Sequence, residues 1–370
     1  MNLLHICSYY PGSKVHKNLF HSLALSGVTQ HVHIPSRIGV DKEANKINSN
    51  NITFSYSEVL SIFTRFFFIL KIILISISIF NVLKNKNRFD IIHAHTLYTD
   101  GVATFLMAFF YKIPFILTIR NTDVNFGFKY IPHYNLLIKV VLRKANKIIF
   151  LSPSHKKIFN DKFGQDFDYK IHVIPNGIDN YFIDNSILLK PSVSLENNII
   201  NVIYVGAINK NKNIKNVIKA LATLDRFSVR FTVIGGTYDE YRKVYGSLKS
   251  DELKFIDFIP QVSFDDLLKY YAQANLFCMV SHTETFGLVY IEAISQCVPI
   301  VYTEGQGIDG YFVNGEYGFK CDSKSVGSIH SAIINSINKF PNGLGPFKVN
   351  PAVSFSWRNI SKKYVEEIYT

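Results

Sequence analysis

The sequence predicts an α/β protein of two domains, each a Rossmann-like unit built around a parallel sheet. Its 370 residues exceed what one hydrophobic core usually organises, so two domains of roughly 150 to 190 residues are expected. Short runs that are apolar on both faces alternate with helical stretches, which is typical of parallel sheets. The runs that read as strands are 147–151, 201–206, 231–234 and 299–302, and the helical stretches include 213–224 and 264–274.

A polar stretch at 180–198, with Pro191 and three serines, is the expected linker between these domains. We therefore assign 1–185 to the first domain and 186–352 to the second. Ligands of doubly wound sheets bind at the carboxyl ends of the strands. We thus expect the two sheets to face each other across a cleft that forms the site.

Two glutamates eight positions apart flank the point where an apolar strand gives way to a helix. Glu284 follows the predicted strand 275–280, and Glu292 falls two turns into a helix that starts near Phe286. Free N–H groups at the start of a helix favour an anion such as a diphosphate. Glu292 could accept paired hydrogen bonds from a vicinal diol, so an elongated ligand with a diphosphate and a ribose fits. Taken alone, the two residues are equally consistent with a helix cap and a solvated helix residue.

This segment resembles the glutamate-x7-glutamate motif of the retaining glycosyltransferases of family 4. Four more segments resemble motifs of that family in the same order, namely the His-Ala-His strand at 90–95, the strand and loop at 114–123, the Pro-Asn-Gly-Ile-Asp turn at 174–179 and the phosphate loop at 205–213. The resemblance implies the GT-B fold, in which the second domain binds a nucleotide diphosphate sugar and the first binds the acceptor. It also implies that 353–370 contains a C-terminal helix that crosses back to the first domain.

On the donor side, the resemblance implies that Glu284 contacts the donor sugar and Glu292 the ribose. The other donor contacts that we expect are Gly206, Lys210, Lys212, Phe286, Gly287, Leu288 and Gly307. The departing diphosphate needs fixed positive groups and N–H groups around it. We expect the side chain of Lys212 to donate a hydrogen bond to it, although a lysine in a loop is usually only solvated. The family has an arginine where this chain has Ala207, so Lys210 or Asn209 is the expected substitute.

On the acceptor side, the resemblance implies that Arg120 and Asp123 contact the acceptor or the sugar. His95 is expected to line the same site, although a histidine that ends a strand is as often structural. The only Asp-x-Asp pair, Asp166 and Asp168, lies in a predicted loop. No metal and no other cofactor is therefore expected.

Positive charge is concentrated in the first domain. Residues 1–185 carry 21 Lys and Arg against 11 Asp and Glu, whereas 186–370 carry 19 against 17. The basic half also contains the unusually apolar segment 59–83, so we expect an anionic membrane surface as a partner, and no nucleic acid.

Polar residues recur every seven positions in and beside this apolar segment, so on a helix they would form one narrow stripe. These residues are Ser57, Thr64, Lys71, Ser78 and Asn85. We predict a helix that packs on the first domain with one apolar side against the inner leaflet, helped by Lys84, Lys86 and Arg88. A transmembrane helix and a plain core helix are the alternatives.

The sequence thus predicts a retaining hexosyltransferase. It would move a hexose or N-acetylhexosamine from a nucleotide diphosphate sugar, of which a UDP-sugar is favoured and a GDP-sugar is possible. The expected acceptor is a polyprenyl-diphosphate-linked or other saccharide in bacterial capsule or O-antigen synthesis. Four scattered cysteines favour a reducing compartment, so we expect a cytoplasmic protein, peripheral on the inner face of the membrane.

Three other classes of protein share some of these features. A nucleotide-sugar epimerase would share the architecture but would have no use for a basic, lipophilic acceptor domain. A non-enzymatic membrane adaptor would explain the charge but not the paired glutamates. An NAD-dependent oxidoreductase is disfavoured, because neither 6–13 nor 234–236 supplies the glycine-rich fingerprint.

Overall fold

The computed structural model describes residues 1–85, 89–186, 199–345 and 347–370. The chain divides into two units. The first consists of 1–151, 155–177 and 357–370, and the second of 152–154 and 178–356. Most of the predicted linker, including Pro191, lies outside the described residues, as do Lys86 and Arg88.

The first unit is a seven-stranded sheet in the order β3-β2-β1-β4-β5-β6-β7, and every pairing within it is parallel. Its strands are β1 (Asn2–Ile6), β2 (Thr29–Arg37), β3 (Ile52–Leu60), β4 (Ile91–Ala94), β5 (Phe115–Ile119), β6 (Lys147–Phe150) and β7 (Ile171–Val173). Its helices are α1 (Lys14–Leu25), α2 (Phe68–Asn85), α3 (Val102–Tyr111), α4 (Phe128–Tyr130), α5 (Asn135–Lys144) and most of α6 (Pro153–Phe163). The sheet's two faces are covered by separate apolar clusters.

The second unit is a six-stranded parallel sheet in the order β10-β9-β8-β11-β12-β13. Its strands are β8 (Ile199–Val205), β9 (Ser228–Ile234), β10 (Ile256–Ile259), β11 (Leu276–Cys278), β12 (Ile300–Thr303) and β13 (Gly318–Cys321). Its helices are α7 (Asn180–Asp184), α8 (Ile214–Leu221), α9 (Tyr238–Tyr245), α10 (Ser250–Leu253), α11 (Phe264–Gln273), α12 (Leu288–Ser295) and α13 (Val326–Lys339). Two parallel-sheet units confirm the predicted α/β class.

Residues 357–370 pack with the first unit, where α14 (Trp357–Lys363) lies against α1. The Ser22 hydroxyl donates to the Trp357 carbonyl at 2.9 Å, and the Trp357 and Ile360 side chains are buried. Gly177 has no side chain because a Cβ there would lie 2.5 Å from the Trp357 ring. The C-terminal residues are therefore part of the first unit's core.

The apolar segment 59–83 is not one helix, so the predicted seven-residue stripe is wrong for Ser57 and Thr64. Ser57 lies in β3, which pairs with β2 as far as Leu60, and Thr64 lies in a 3-10 turn before α2. Edge pairing with β2 overrides the helical period here. Ser78 does lie on α2, where its hydroxyl is 3.0 Å from His33 Nε2 on β2.

One side of α2 is buried in the first unit through Ile72, Ile75, Ile79 and Val82. The opposite side is exposed and continues onto α3, which packs against α2. We call this surface the apolar face; it consists of Phe66, Phe67, Ile69, Leu70, Ile73, Ile77, Phe80, Leu106, Phe109 and Phe110. No helix in the described part of the chain has both the length and the apolar character needed to cross a bilayer.

Candidate functional site

The predicted donor residues of the second unit meet where its strand order reverses. In the sheet, β8 has β9, the next strand in sequence, on one side and β11 on the other. The strands after β8 therefore run outward in one direction as β9 and β10, and in the opposite direction as β11, β12 and β13. Gly206 directly follows β8, and the loop that contains Glu284 follows β11. Loops that leave neighbouring strands in opposite directions open a crevice, and such switch points bind ligands in α/β sheets.

Lys212 and Glu284 form an ion pair across these two loops. Lys212 Nζ donates to Glu284 Oε2 at 2.7 Å, and their side chains are only 21% and 15% exposed. A pair so shielded holds its geometry better than a surface ion pair. The structure therefore fixes a cation and a carboxylate side by side, 72 positions apart in the chain.

Asn211 clamps the same two loops together and was missed from the sequence. Its Oδ1 accepts from the Thr283 N–H at 3.0 Å and from the Thr283 hydroxyl at 2.8 Å, and its Nδ2 donates to the Thr283 carbonyl at 2.8 Å. The His282 N–H also donates to the Asn211 carbonyl at 2.8 Å. In the sequence, the only indication that Asn211 belongs to the site is its position between the expected contacts Lys210 and Lys212.

Three backbone N–H groups at the start of α12 point to an anion site. The N–H groups of Phe286, Gly287 and Leu288 have no hydrogen-bond acceptor among the residues that the structure describes. Gly287 has φ +83°, and a Cβ there would lie 2.4 Å from the Tyr290 ring. Only glycine therefore fits at the residue before the helix.

Gly307 brings a third loop onto Glu284. Its N–H donates to the Glu284 carbonyl at 3.1 Å, and the Glu284 N–H donates to Gln306 Oε1 at 3.1 Å. With φ +55°, a Cβ on Gly307 would lie 2.9 Å from both Glu284 Cγ and the Phe286 carbonyl oxygen. The loop after β12 thus fixes the backbone of Glu284, while Asn211 fixes that of the preceding residue, Thr283.

Two expected phosphate contacts are placed differently. The Gly206 N–H donates to the Ile234 carbonyl at 2.8 Å, so the N–H that we assigned to the diphosphate is already used between neighbouring strands. Lys210 is exposed, and none of the described residues forms an ion pair with its side chain. Lys212 is consequently the cation that the structure holds in place.

Glu292 lies on α12 beside Tyr271, whose hydroxyl is 3.5 Å from Glu292 Oε2. Burial raises the pKa of the Glu292 carboxyl from 4.5 to about 7. Because the folded protein holds this proton more tightly than the unfolded chain, the stability that protonation contributes is full below 4.5 and is lost as the pH rises through about 7. A carboxylate so placed is ready to accept hydrogen bonds from a diol once it is ionised.

We expect the affinity for a UDP-sugar to rise about tenfold between pH 6 and pH 8, because only an ionised carboxylate at Glu292 could accept from both hydroxyls of the expected ribose. Isothermal titration calorimetry at pH 6, 7 and 8 measures this. The E292Q variant should bind more weakly and should lose most of the pH dependence. An unchanged slope in E292Q would assign the titration to another group.

In the first unit, the polar side chains gather after β4 and β5. Asp123 Oδ1 accepts from the Tyr98 N–H at 3.2 Å, and its Oδ2 accepts from the Arg120 N–H at 2.9 Å. Burial raises the pKa of the Asp123 carboxyl to about 6. Arg120 Nε donates to the His95 carbonyl at 3.1 Å, while its two terminal nitrogens have no partner among the described residues. Asp123 therefore orients the loop, and Arg120 offers the free donors.

Asp100 is a second buried carboxylate that the sequence analysis missed. The Ser8 N–H, just after β1, donates to its Oδ2 at 3.2 Å, and the Ser8 hydroxyl donates to its Oδ1. Burial raises the pKa of the Asp100 carboxyl, whereas Lys71 and the bonds from Ser8 oppose that rise. Asp100 is the only acidic residue between Asp90 and Asp123, which is the signal that could have found it.

The His95 ring is buried inside the first unit and is 1% exposed. Its Nε2 lies 3.0 Å from His5 Nδ1, and its ring packs on those of His16 and Phe20. Burial first, and then the neighbouring His93, His5 and His16 rings and the Arg120 guanidinium, hold the pKa of His95 well below its usual value. The ring therefore packs as a neutral group, and only the carbonyl of His95 touches Arg120.

His5, His93 and His95 also form a cluster whose ring nitrogens lie within 4.8 Å of one another, a spacing that could hold a metal ion. His93 already uses both of its nitrogens, since Nδ1 lies 2.8 Å from the Tyr369 hydroxyl and Nε2 lies 2.8 Å from the Thr118 hydroxyl. A hydrogen-bonded cluster accounts for these contacts without an ion.

In the Asp-x-Asp pair, the Asp168 carboxylate is held by two residues of α6. Its Oδ1 is 3.1 Å from Lys156 Nζ and accepts from Asn160 Nδ2 at 3.2 Å. The hydrogen bonds from Asn160 and Lys156 lower the pKa of this carboxyl. These contacts suit a surface turn, and that no metal is required stays a prediction.

Two family models match the chain. The model described as Glycosyltransferase Family 4 matches residues 14–180, and the model described as Glycosyl transferases group 1 matches residues 189–339. Together the two matches extend over most of both units.

Curated relatives match over both halves. The alpha-monoglucosyldiacylglycerol synthase of Acholeplasma laidlawii is 25% identical over 309 residues, which are 77% of this chain and 74% of that protein. The capsular polysaccharide biosynthesis glycosyltransferase CapM of Staphylococcus aureus is 30% identical over 254 residues, which are 64% of this chain and 65% of that protein. The chain therefore spans about two thirds to three quarters of these relatives' lengths.

Solved structures share the fold over the whole chain. The lipopolysaccharide outer core galactosyltransferase WaaB has a TM-score of 0.76 at 14% identity, and 100% of this chain and 99% of that chain are covered. Anabaena HepE in complex with UDP-glucose has a TM-score of 0.65 at 16% identity, with the same coverage.

Proposed function

Because the chain is a glycosyltransferase of the GT-B, family 4 type, we propose that it transfers a hexose or N-acetylhexosamine with retention of configuration. The proposed donor is a UDP-sugar, with a GDP-sugar as the less favoured choice. The proposed acceptor is a saccharide on a polyprenyl diphosphate or another lipid carrier in bacterial capsule or O-antigen synthesis. The first unit would bind the acceptor and the second the donor.

One observation carries the donor assignment. The largely shielded Lys212–Glu284 pair lies beside three N–H groups that have no acceptor among the described residues, all at the switch point of the second sheet. A diphosphate needs a cation and N–H donors, and a sugar hydroxyl needs a carboxylate. The solved HepE structure with UDP-glucose supports the choice of a uridine nucleotide.

The reaction that we propose takes place on one face of the sugar. The acceptor hydroxyl oxygen bonds to the anomeric carbon while the bond from that carbon to the diphosphate oxygen breaks. The leaving diphosphate takes the hydroxyl proton, so atoms and charge balance. Lys212 and the N–H groups of α12 stabilise the negative charge that develops on the diphosphate, and Glu284 holds a sugar hydroxyl. This scheme uses no metal.

Two relatives support a lipid acceptor and a surface glycan. The Acholeplasma protein is named as the synthase of a glucosylated diacylglycerol, and CapM is named for capsular polysaccharide biosynthesis. The apolar face suits the hydrocarbon of a bilayer, and the exposed lysines at the C-terminal ends of its two helices, Lys84 of α2 and Lys112 after α3, suit anionic headgroups. We therefore propose that the enzyme works at the inner surface of the cell membrane.

We expect UDP to raise the melting temperature of the wild-type protein more than GDP, ADP, CMP or NAD does. Binding at about 100 times Kd stabilises a protein by about 2.7 kcal/mol, which a thermal-shift assay resolves. E292A should abolish the shift, and E366A, which removes an exposed carboxylate of the first unit, should preserve it. No shift with any nucleotide would contradict the donor site and favour the membrane adaptor.

The epimerase alternative is tested by the products. Incubation of the enzyme with UDP-glucose and no acceptor should leave the sugar unchanged or release it slowly by hydrolysis. Conversion of UDP-glucose into an epimer, seen by NMR, would favour the epimerase and contradict the transferase.

A further inference from the structure

The first unit contains a cavity of about 900 Å³ next to the apolar face. This volume lies within the range of about 300–1,000 Å³ that small-molecule sites occupy. The mouth is formed by exposed residues of the apolar face, of which Phe66 is 76% and Phe67 59% exposed, and by Phe126. The cavity is thus continuous with the surface that we assign to the membrane.

Most of the cavity wall is apolar and aromatic. Phe68 and Tyr134 pack ring to ring, with centroids 4.5 Å apart, and Leu70 and Ile131 complete this wall. Gly127 lies against Tyr98, where a Cβ would be 2.2 Å from the ring. A hydrocarbon chain would match this aromatic wall, whereas the hydroxyl groups of a sugar placed against it would find no partner there.

Polar groups also line the cavity. Thr64 and Lys71 belong to the same segment as Phe68, and His133 precedes Tyr134. The largest polar group follows β4 and β5 and consists of Thr96, Thr99, Thr122 and Asp123, the last of which is an expected acceptor contact. An amphipathic ligand would therefore lie with its chain among the aromatic rings and its headgroup beside Asp123.

We propose that this cavity binds the hydrocarbon chain of the membrane lipid that carries the acceptor, an inference that rests on the proposed function. The chain enters from the bilayer at the apolar face and holds the lipid's headgroup beside Asp123. The cavity would then select lipid carriers over free saccharides, because each buried methylene tightens binding roughly fourfold.

Photo-crosslinking of the full-length protein tests the site with two probes. One is geranylgeranyl phosphate with a diazirine at the end of the chain, and the other is dioleoylglycerol with a diazirine in one acyl chain. Mass spectrometry should locate cross-links at 66–71 and 126–134, and excess unlabelled lipid should compete. Preference for one probe identifies the chain as isoprenoid or acyl. Cross-links confined to exposed residues of α3, or none with either probe, would overturn the proposal.

A cavity-filling variant and a matched control separate the cavity from the surface. I131W introduces an indole ring at a lining position and should lower cross-linking about tenfold, since a filled cavity has no volume for the lipid chain. L136W introduces the same side chain on the surface of α5, where Leu136 is 77% exposed, and should leave cross-linking unchanged. If I131W fails to fold by circular dichroism, T99F fills the cavity from its polar part. Equal cross-linking in wild type and the filled variants would overturn the proposal.

Nucleotide binding of the same preparations keeps the two hypotheses apart. A UDP-induced thermal shift without labelling of the cavity would leave the transferase standing and remove the lipid-chain site. Labelling without binding of any nucleotide would contradict the proposed function, because a lipid site alone makes no transferase.

Discussion

Replacement of Lys212 by alanine is expected to lower the rate of sugar transfer by about 10²–10³-fold, the usual loss when one preorganised donor is removed from a developing negative charge. Lys212 Nζ is held 2.7 Å from Glu284 by a side chain that is largely shielded from water. Without it, the diphosphate would depart next to an unpaired carboxylate. Initial rates of UDP release at saturating donor and acceptor give kcat directly.

The matched control is K219A, which removes an exposed lysine from α8 immediately after the same loop. E284Q separates the two partners: it should lower kcat while UDP binds as well as before or more tightly, since Lys212 then has no competing carboxylate. A K212A enzyme as active as K219A would refute the assignment. Equal loss of UDP affinity in K212A and E284Q would mean that the pair only supports the loop.

The donor-side residues could be predicted because short motifs sit at strand ends, and parallel strands bring their carboxyl ends to one edge. Lys212 and Glu284 are far apart in sequence, yet each lies in the segment that joins a strand of the same sheet, β8 or β11, to the helix that follows it. Asn211 could not be predicted in its role, because its three hydrogen bonds to Thr283 exist only once the two loops lie side by side. Likewise, the bond between the Gly206 N–H and Ile234 depends on strand pairing that a loop motif does not show.

The first unit was harder to predict for a physical reason. Segment 59–83 is apolar throughout, and hydropathy alone does not distinguish the end of an edge strand, a turn and a helix. The boundary at Leu60 is set by pairing with Arg37 of β2, a residue far away in sequence. His95 also differs from expectation, since its ring is surrounded by His5 and His16 of the same unit.

Substitution of two residues of the apolar face is expected to weaken binding to anionic vesicles by about 10²-fold or more. Phe67 and Ile73 are 59% and 48% exposed, and burial of such a side chain in hydrocarbon contributes about 1.5–3 kcal/mol. The double variant F67S/I73S removes most of that contribution without touching the buried side of α2. Co-sedimentation with vesicles of phosphatidylglycerol and phosphatidylcholine at low salt measures the partition coefficient.

The control L25S removes a leucine that is still more exposed, at 76%, from α1, on the other face of the sheet, where no apolar surface of this kind continues among the described residues. Salt separates the contributions of charge and hydrocarbon, because screening weakens the attraction of Lys84 and Lys112 to anionic lipid but leaves apolar insertion in place. Wild-type binding that persists in part at high salt, and that F67S/I73S loses, would show both contributions. If high salt abolished binding equally in every variant, charge alone would hold the protein at the surface. A wild-type protein that does not bind anionic vesicles even at low salt would contradict the membrane proposal altogether.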